Sequence, residues 1–332
     1  MRPGYALACH FSLSMTARIE KAFILAAGLG TRLLPLTRVR PKPLLPVLGR
    51  PIVGFALQHL EQLGVRDFAV NAHHSVSAFQ ACLPKLLGPG SDLRIFHEPE
   101  LLETGGALVN ARDWFAGEPV LVHSGDVVTD IDLGAVVEAH YRDNNAVTLA
   151  LRDTGLAAQV AFDPATGQVV DLQSALGRPA PERVDYANAA ILNGEVLRPY
   201  ESGPRPLVTM LLDCLRRGGR LGGVVLNGGG WFNVGTRRDY LALHRLLVTA
   251  AWQPAFTPEP WWAPEEVTGD GRYAATGATW VAPGAQVGPG AVLHDTIVWP
   301  RSRVAPGTRL EGCVVAGQAV GPGTFLSQDF CS

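Results

Sequence analysis

The stretch "AAGLGTRLLPLTRVRPKPLLPV", residues 26–47, decides how this chain is read. It follows "KAFIL" (21–25), a short apolar run that predicts a buried strand. Gly28 and Gly30 then let the backbone turn tightly and present N–H groups to a phosphate. Arg32 comes at once, and Lys42 stands between Pro41 and Pro43 on stiff backbone. An arginine and a lysine held around a glycine loop suit a polyphosphate better than a solvated face. Arg38 and Arg40 are expected to face solvent. The loop lacks both the Gly-Lys-Ser/Thr end of a Walker loop and the GxGxxG spacing of a dinucleotide fold. An NAD-linked dehydrogenase is excluded on that spacing.

Outward from this loop, strand-like and helix-like segments alternate. "PIVGFALQHLEQLG" (51–64) has Pro first, apolar residues at helical spacing and a closing Gly. "DFAVNAHH" reads as a strand, and "SVSAFQACLPKL" as a helix bent or ended by Pro84. "DLRIFHEPE" is a strand, "GGALVNARDWF" a helix and "EPVLVHSGD" a strand. "LGAVVEAHYRDN" is a helix, with Asp130 and Asp132 as candidate caps, and "AVTLALRD" a strand. The alternation predicts an α/β, Rossmann-like, mainly parallel sheet with helices on both faces. Shorter strands with turns are expected over 159–200, and helices over 206–217 and 237–249.

At 332 residues, about two domains are expected. Apolar residues make up 47% and charged residues 17%, and 28 basic against 30 acidic side chains leave a net charge of −2. That balance argues against nucleic acid or an anionic membrane as partner. No apolar run reaches the roughly 18 residues of a membrane span. The five cysteines are scattered and never in CxxC spacing, which fits reduced thiols and a cytoplasmic location. Residues 1–20 make a poor signal peptide and are expected to be a disordered extension, with Met15 as an alternative start.

The first domain is expected over 21–250. Residues 251–270 form a Pro/Trp-rich linker, its prolines favouring extended chain packed down by aromatics. From 271 to 332 the chain repeats: "VAPGAQ", "VGPGAV", "LHDTIV", "VAPGTR", "LEGCVV". Val281, Val287, Leu293, Val304 and Leu310 hold a six-residue phase that slips near Trp299. This is the period of stacked short strands and resembles the left-handed β-helix of hexapeptide repeats. His294 is considered for acyl transfer, but too few coils follow for an acceptor cleft. Homo-oligomerisation, or capping of the first domain, is the expected role.

Residues 26–47 resemble the signature of sugar-1-phosphate nucleotidyltransferases, A-A-G-x-G-T-R-[LM]-x-P-x-T followed by P-K-P-x-x-P-V. Leu34 stands where the family usually has Arg. Further motifs follow in order. "HEPELLETGGAL" (97–108) resembles E-P-x-x-L-G-T-A-G-A-L, with Glu103 and Gly105 replacing Gly and Ala. "LVHSGDVVTDIDL" (121–133) carries Asp126 at the end of a strand, where open α/β sheets place ligands. "YANAAILNGEVL" (186–197) resembles F-x-N-A-G-I-Y-x-L-N-x-E-V-L, especially as in mannose-1-phosphate guanylyltransferases, with Ala190 for Gly. "WFNVGTRRDY" (231–240) resembles W-x-D-[VIT]-G-T-x-x-x-Y, with Asn233 for Asp.

The resemblance implies transfer of a nucleoside monophosphate from an NTP to a sugar 1-phosphate, with GTP and a mannose-like sugar leading. Uridylyl and thymidylyl transfer are the alternatives, and a non-catalytic nucleotide-sugar-binding homologue is a third. It implies a nucleotide side formed by Leu25, Ala27, Gly28, Gly30, Thr31 and Arg32, with Glu98, Thr104 and Gly105 from the base loop. Arg32, Lys42 and Asp126 would be catalytic, and Asp126 with Asn233 would hold Mg²⁺. Asn188 would face the sugar. The family's Glu-Lys-Pro grip on the sugar phosphate is replaced by "LGRPAPE" (176–182), which leaves Arg178 as its stand-in. An amide oxygen can ligate Mg²⁺ without bringing charge, so metal affinity is expected to fall.

Overall fold

The computed structural model describes residues 18–257 and 259–331; most of the expected disordered extension lies outside them. Ile19 is already buried, and the Arg18 carbonyl accepts from the Tyr141 hydroxyl at 2.9 Å. The packed chain therefore starts before residue 21.

The first domain contains β1 (Lys21–Leu25), α1 (Ile52–Gln62), β2 (Asp67–Ala72), α2 (Val76–Cys82), β3 (Asp92–His97) and α3 (Glu103–Asn110). Then come β4 (Pro119–Ser124), β5 (Val127–Thr129), α4 (Leu133–Arg142), β6 (Val147–Arg152), β7 (Val160–Asp163), β8 (Gln168–Leu172) and β9 (Glu182–Asn193). It ends with α5 (Leu207–Arg216), β10 (Leu221–Val225), β11 (Trp231–Asn233) and α6 (Arg237–Val248). Nine strands make one sheet in the order β3-β2-β1-β4-β9-β6-β10-β8-β7. The first four are parallel, as are β6 and β10.

One departure from expectation shapes the site. β9 runs antiparallel between β4 and β6 and is a twelve-residue strand, where only short strands were expected. It returns from the β7–β8 hairpin without a crossover helix, so antiparallel pairing is the short route. The sheet is thus mixed, with β8 and β9 opposing the rest.

Alternation along the strands fills both faces. Phe23, Val122 and Leu149 pack beneath α3 and α5, while Ala22, Ile24 and Phe68 meet α1, α2 and α4. Asp132 caps α4 by accepting from Ala135 N–H at 3.2 Å, and Thr236 with Asp239 forms a capping box on α6. Asp130 does not cap. It accepts instead from Gly230 N–H at 2.5 Å and Ala255 N–H at 2.9 Å, which pins the linker and the turn before β11.

The expected extended linker contains a helical turn, Glu265–Thr268. Its aromatics dock as foreseen, with the Trp261 indole donating to the Leu48 carbonyl at 2.8 Å. Beyond it, short strands stack in three parallel sheets, the arrangement of a left-handed β-helix. Val281, Val287, Leu293, Val304 and Leu310 fill its interior. Trp299 breaks the phase because it points out of the coil. Its indole donates to the Tyr240 hydroxyl at 3.1 Å. Trp280, Ile297, Trp299 and Val314 share one apolar cluster with Leu33, Leu36, Leu45 and Val47. The β-helix is therefore packed against the rear of the 26–47 loop. Arg237 pairs with Asp329 at 2.7 Å across the same seam.

Candidate active site

The chain leaves β1 at Leu25 and turns over open space. None of the amides from Ala27 to Gly30 donates to another protein group among the described residues, so they are free for an anion. Gly30 takes φ +62°, and a Cβ there would sit 2.9 Å from Thr37 Cγ2 and 3.0 Å from Lys42 Cβ. Only glycine lets the loop lie on the lysine stem in that conformation. Thr31 and Arg32 are exposed at the lip. The Arg32 guanidinium lies over Gly235, where a Cβ would come within 3.1 Å of it. One loop thus reaches across to the turn that follows β11.

Lys42 is buried, and its ammonium pairs with Asp126 Oδ2. Asp126 follows β4, and its carbonyl accepts from Val234 N–H at 3.0 Å. β11 pairs with β5 so that Asn233 stands opposite Val127. Asp126 and Asn233 are therefore brought to neighbouring positions by two short strands. Asn233 Oδ1 is buried with no hydrogen-bond partner. Such an atom is costly unless something else occupies its lone pairs.

Two cavities meet here. The first, about 310 Å³, is lined by Leu25, Ala27, Gly28, Glu98, Thr104 and Asp126 among others. The second, about 460 Å³, is lined by Tyr186, Asn188, Trp231 and Asn233. Leu25, Thr104 and Ser124 belong to both walls, so the two are halves of one cleft. Asn188 has φ +63° where the β9–β6 register shifts. A bulge beside a cleft re-aims a side chain, and asparagine tolerates this conformation. Gly105 lies behind the wall, its amide donating to the Arg205 carbonyl at 2.8 Å.

A model of the nucleotidyl transferase family matches residues 21–249. The chain belongs to the nucleotidyl transferase family. N-acetylmuramate α-1-phosphate uridylyltransferase of Neisseria meningitidis is 42% identical over 123 residues, covering 36% of this chain and 52% of that relative. Mannose-1-phosphate guanylyltransferase of Mycobacterium tuberculosis is 26% identical over 312 residues, covering 89% of this chain and 79% of its own. A UDP-glucose pyrophosphorylase structure from Acinetobacter baumanii superposes with a TM-score of 0.57 at 18% identity, over 69% of this chain and 94% of that one. That likeness concerns the fold.

In this nucleotidyl transferase, Arg178, like Gly105, is an expected residue that does not line the cleft. Asp171 gathers the amides of Leu172, Leu176 and Arg178 into a turn, and the Arg178 side chain is exposed outside the cavity wall. Glu98 does reach the cleft, but only 1% of it is exposed. Its Oε1 accepts from Asn71 Nδ2 at 2.7 Å and its Oε2 from Leu102 N–H at 3.2 Å. His73 holds the Glu98 carbonyl at 2.8 Å. Arg38 is exposed as expected, whereas Arg40 is half-buried.

Two residues with a part in the site carry no motif, and a third departs from one. Asn71 is one. Arg152 is another, donating to the carbonyls of Leu226 at 2.7 Å and Gly228 at 3.0 Å and so fixing the glycine triplet ahead of β11. Tyr186 is the third: it lines the second cavity, and its hydroxyl has no protein partner among the described residues. A polar residue near the end of a strand was the available signal for Asn71 and Arg152. The family pattern has Phe at the position of Tyr186.

The donor set suits Mg²⁺. No group of three or more His, Cys, Asp or Glu placed to hold a metal ion exists among the described residues. This ion, however, is bound through one or two protein oxygens together with substrate phosphates and water. Asp126 and the orphaned Asn233 Oδ1 supply that many.

Proposed function

We propose that the protein transfers a nucleoside monophosphate from an NTP to a sugar 1-phosphate, releasing pyrophosphate, with GTP and mannose 1-phosphate or a related sugar as substrates. The observation that carries this is the divided cleft: Asp126 lines one half, Asn233 lines the other, and Lys42 pairs with Asp126. Two phosphate-bearing substrates entering from opposite halves would meet there.

An oxygen of the sugar phosphate attacks the α-phosphorus in line. A new P–O bond forms as the bond to the β-phosphate oxygen breaks, and the pair leaves with pyrophosphate. The nucleophile is already anionic, so no general base is required. Positioning and charge neutralisation do the work. Free loop amides and Arg32 hold the NTP phosphates, and Lys42 neutralises charge between the α-phosphate and the incoming phosphate. Asp126 and Asn233 would hold Mg²⁺, which supplies neutralisation of the reacting phosphates. Asn188 and Tyr186 face the sugar.

Guanine is favoured because the guanylyltransferase relative aligns over 89% of the chain. Uridylyl transfer is the second reading, supported by the 42% identical relative. The test is pyrophosphate release with each NTP against a panel of sugar 1-phosphates and Mg²⁺. Release with GTP and mannose 1-phosphate is expected. Silence across the panel with NDP-sugar binding intact would mean a binding protein instead.

A further inference from the structure

Among the loop amides, Ala26 N–H differs from its neighbours: it is spent inside the protein, donating to Asn71 Oδ1 at 2.6 Å. The same carboxamide gives its Nδ2 to Glu98 Oε1 at 2.7 Å, and Glu98 Oε2 takes Leu102 N–H. Asn71 is 3% exposed and Glu98 1%. The two hydrogen bonds of Asn71 are thus shielded from water, that of Leu102 partly so, and each would be costly to leave unmade. The relay runs from the phosphate loop, through Asn71 near the end of β2, to the base loop. Its polarity is fixed at both ends. Ala26 can only donate, so Asn71 must turn its oxygen that way and its NH₂ toward Glu98. Leu102 N–H can only donate, so the side chain at position 98 must accept there.

We propose that Asn71 is a positioning residue of the nucleotide half, acting through Glu98 and Ala26. It sets the separation of the base loop and the phosphate loop, so that both close on the NTP as one hydrogen-bonded unit. The sugar half has no member of this relay. This inference rests on the nucleotidyl-transfer reading and adds a residue to it.

The polarity gives a test that simple burial would not pass. Asn71→Asp keeps the acceptor for Ala26 but sets a carboxylate against the Glu98 carboxylate. In a Glu98→Gln protein the same change restores complementarity. The amide introduced at position 98 can donate to the carboxylate introduced at position 71 and still accept from Leu102 N–H. Full-length wild type, both single variants and the double variant are compared in steady-state pyrophosphate release, with melting curves for each. Asn71→Asp alone is expected to raise KM for the NTP on the order of 10- to 100-fold, leaving KM for the sugar 1-phosphate within about twofold. In the Glu98→Gln background it is expected to lower KM for the NTP. An equal penalty in both backgrounds overturns the relay, as does an equal rise in both KM values. Should Asn71→Asp fail to fold, Asn71→Ala serves: an unchanged KM for the NTP overturns the proposal, and a rise confined to the NTP supports it. Wild-type silence with every NTP would instead remove the nucleotidyl-transfer reading.

Discussion

Tyr240→Phe removes one oxygen from the seam between the β-helix and the signature loop. That oxygen has two jobs. It donates to the Pro46 carbonyl and accepts from the Trp299 indole at 3.1 Å, and Tyr240 is wholly buried. Without it the Pro46 carbonyl keeps His244 Nε2 at 3.3 Å, but the Trp299 N–H has no replacement. A buried donor left unpaired costs about 1–3 kcal/mol, so a loss of about 2 kcal/mol is expected. The variant should melt several degrees lower, with the urea midpoint reduced in step. Trp299→Phe made in the Tyr240→Phe protein removes the orphaned donor. Its own cost should then be smaller by about 1 kcal/mol than in wild type, a coupling that a double-mutant cycle reads directly. Urea unfolding followed by circular dichroism supplies the four values. Tyr240→Phe within about 0.5 kcal/mol of wild type, or a cycle with no coupling, refutes the claim that this hydrogen-bonded chain joins the two domains.

Lys42→Met leaves Asp126 without its partner and removes the charge meant for the reacting phosphates; kcat is expected to fall on the order of 10²- to 10³-fold, read as pyrophosphate release at saturating substrates. Asn233→Asp adds a charge where a neutral oxygen stands unpaired, and the Mg²⁺ concentration for half-maximal rate should fall about tenfold. An unchanged Mg²⁺ response removes residue 233 from the metal. Burial lowers the pKa of His123 to about 4 and that of His244 to about 3, against 6.5 when free. Both stay neutral in the fold, so below pH 6.5 the unfolded chain takes up protons that the folded chain refuses. Stability should drop by about 2 kcal/mol per histidine between pH 7.5 and pH 5 and level off only near the folded values; a urea midpoint independent of pH in that window contradicts it.

What could be read from the chain was what is written in consecutive residues. The glycine loop, Lys42 between prolines, Asp126 at a strand end and the six-residue repeat are local patterns, and each is found where its pattern puts it. What could not be read depends on partners far along the chain. Asp130 looked like a helix cap because the cap position was near, but its partners are Gly230 and Ala255. Arg178 looked like a phosphate grip because of its place in sequence, yet Asp171 folds that turn away from the cleft. Glu98 read as a base contact with an open carboxylate, whereas Asn71 and Leu102 already hold both of its oxygens. β9 gave no sign that it would insert antiparallel between β4 and β6, because strand order is not a property of any one segment.

If Asp126 and Asn233 hold Mg²⁺ as proposed, an amide in place of a carboxylate at position 233 alters where affinity for the metal would come from. Asp126 already has Lys42 against one oxygen, so the bare site is close to neutral there and offers a cation little net attraction. An uncharged amide oxygen adds a ligand without changing that balance. An NTP substrate would bring the missing negative charge itself, and a metal entering with it would need from the protein only a few well-placed oxygens. The buried, unpaired Oδ1 of Asn233 is such an oxygen, held in place by β11 before any ligand arrives. A fold that merely bound nucleotide sugars would gain nothing from leaving that atom unsatisfied. It would also gain little from holding the half-buried lysine–carboxylate pair beside it, since such pairs contribute little net stability once desolvation is counted. Both features carry a cost in the folded state that the proposed reaction would account for.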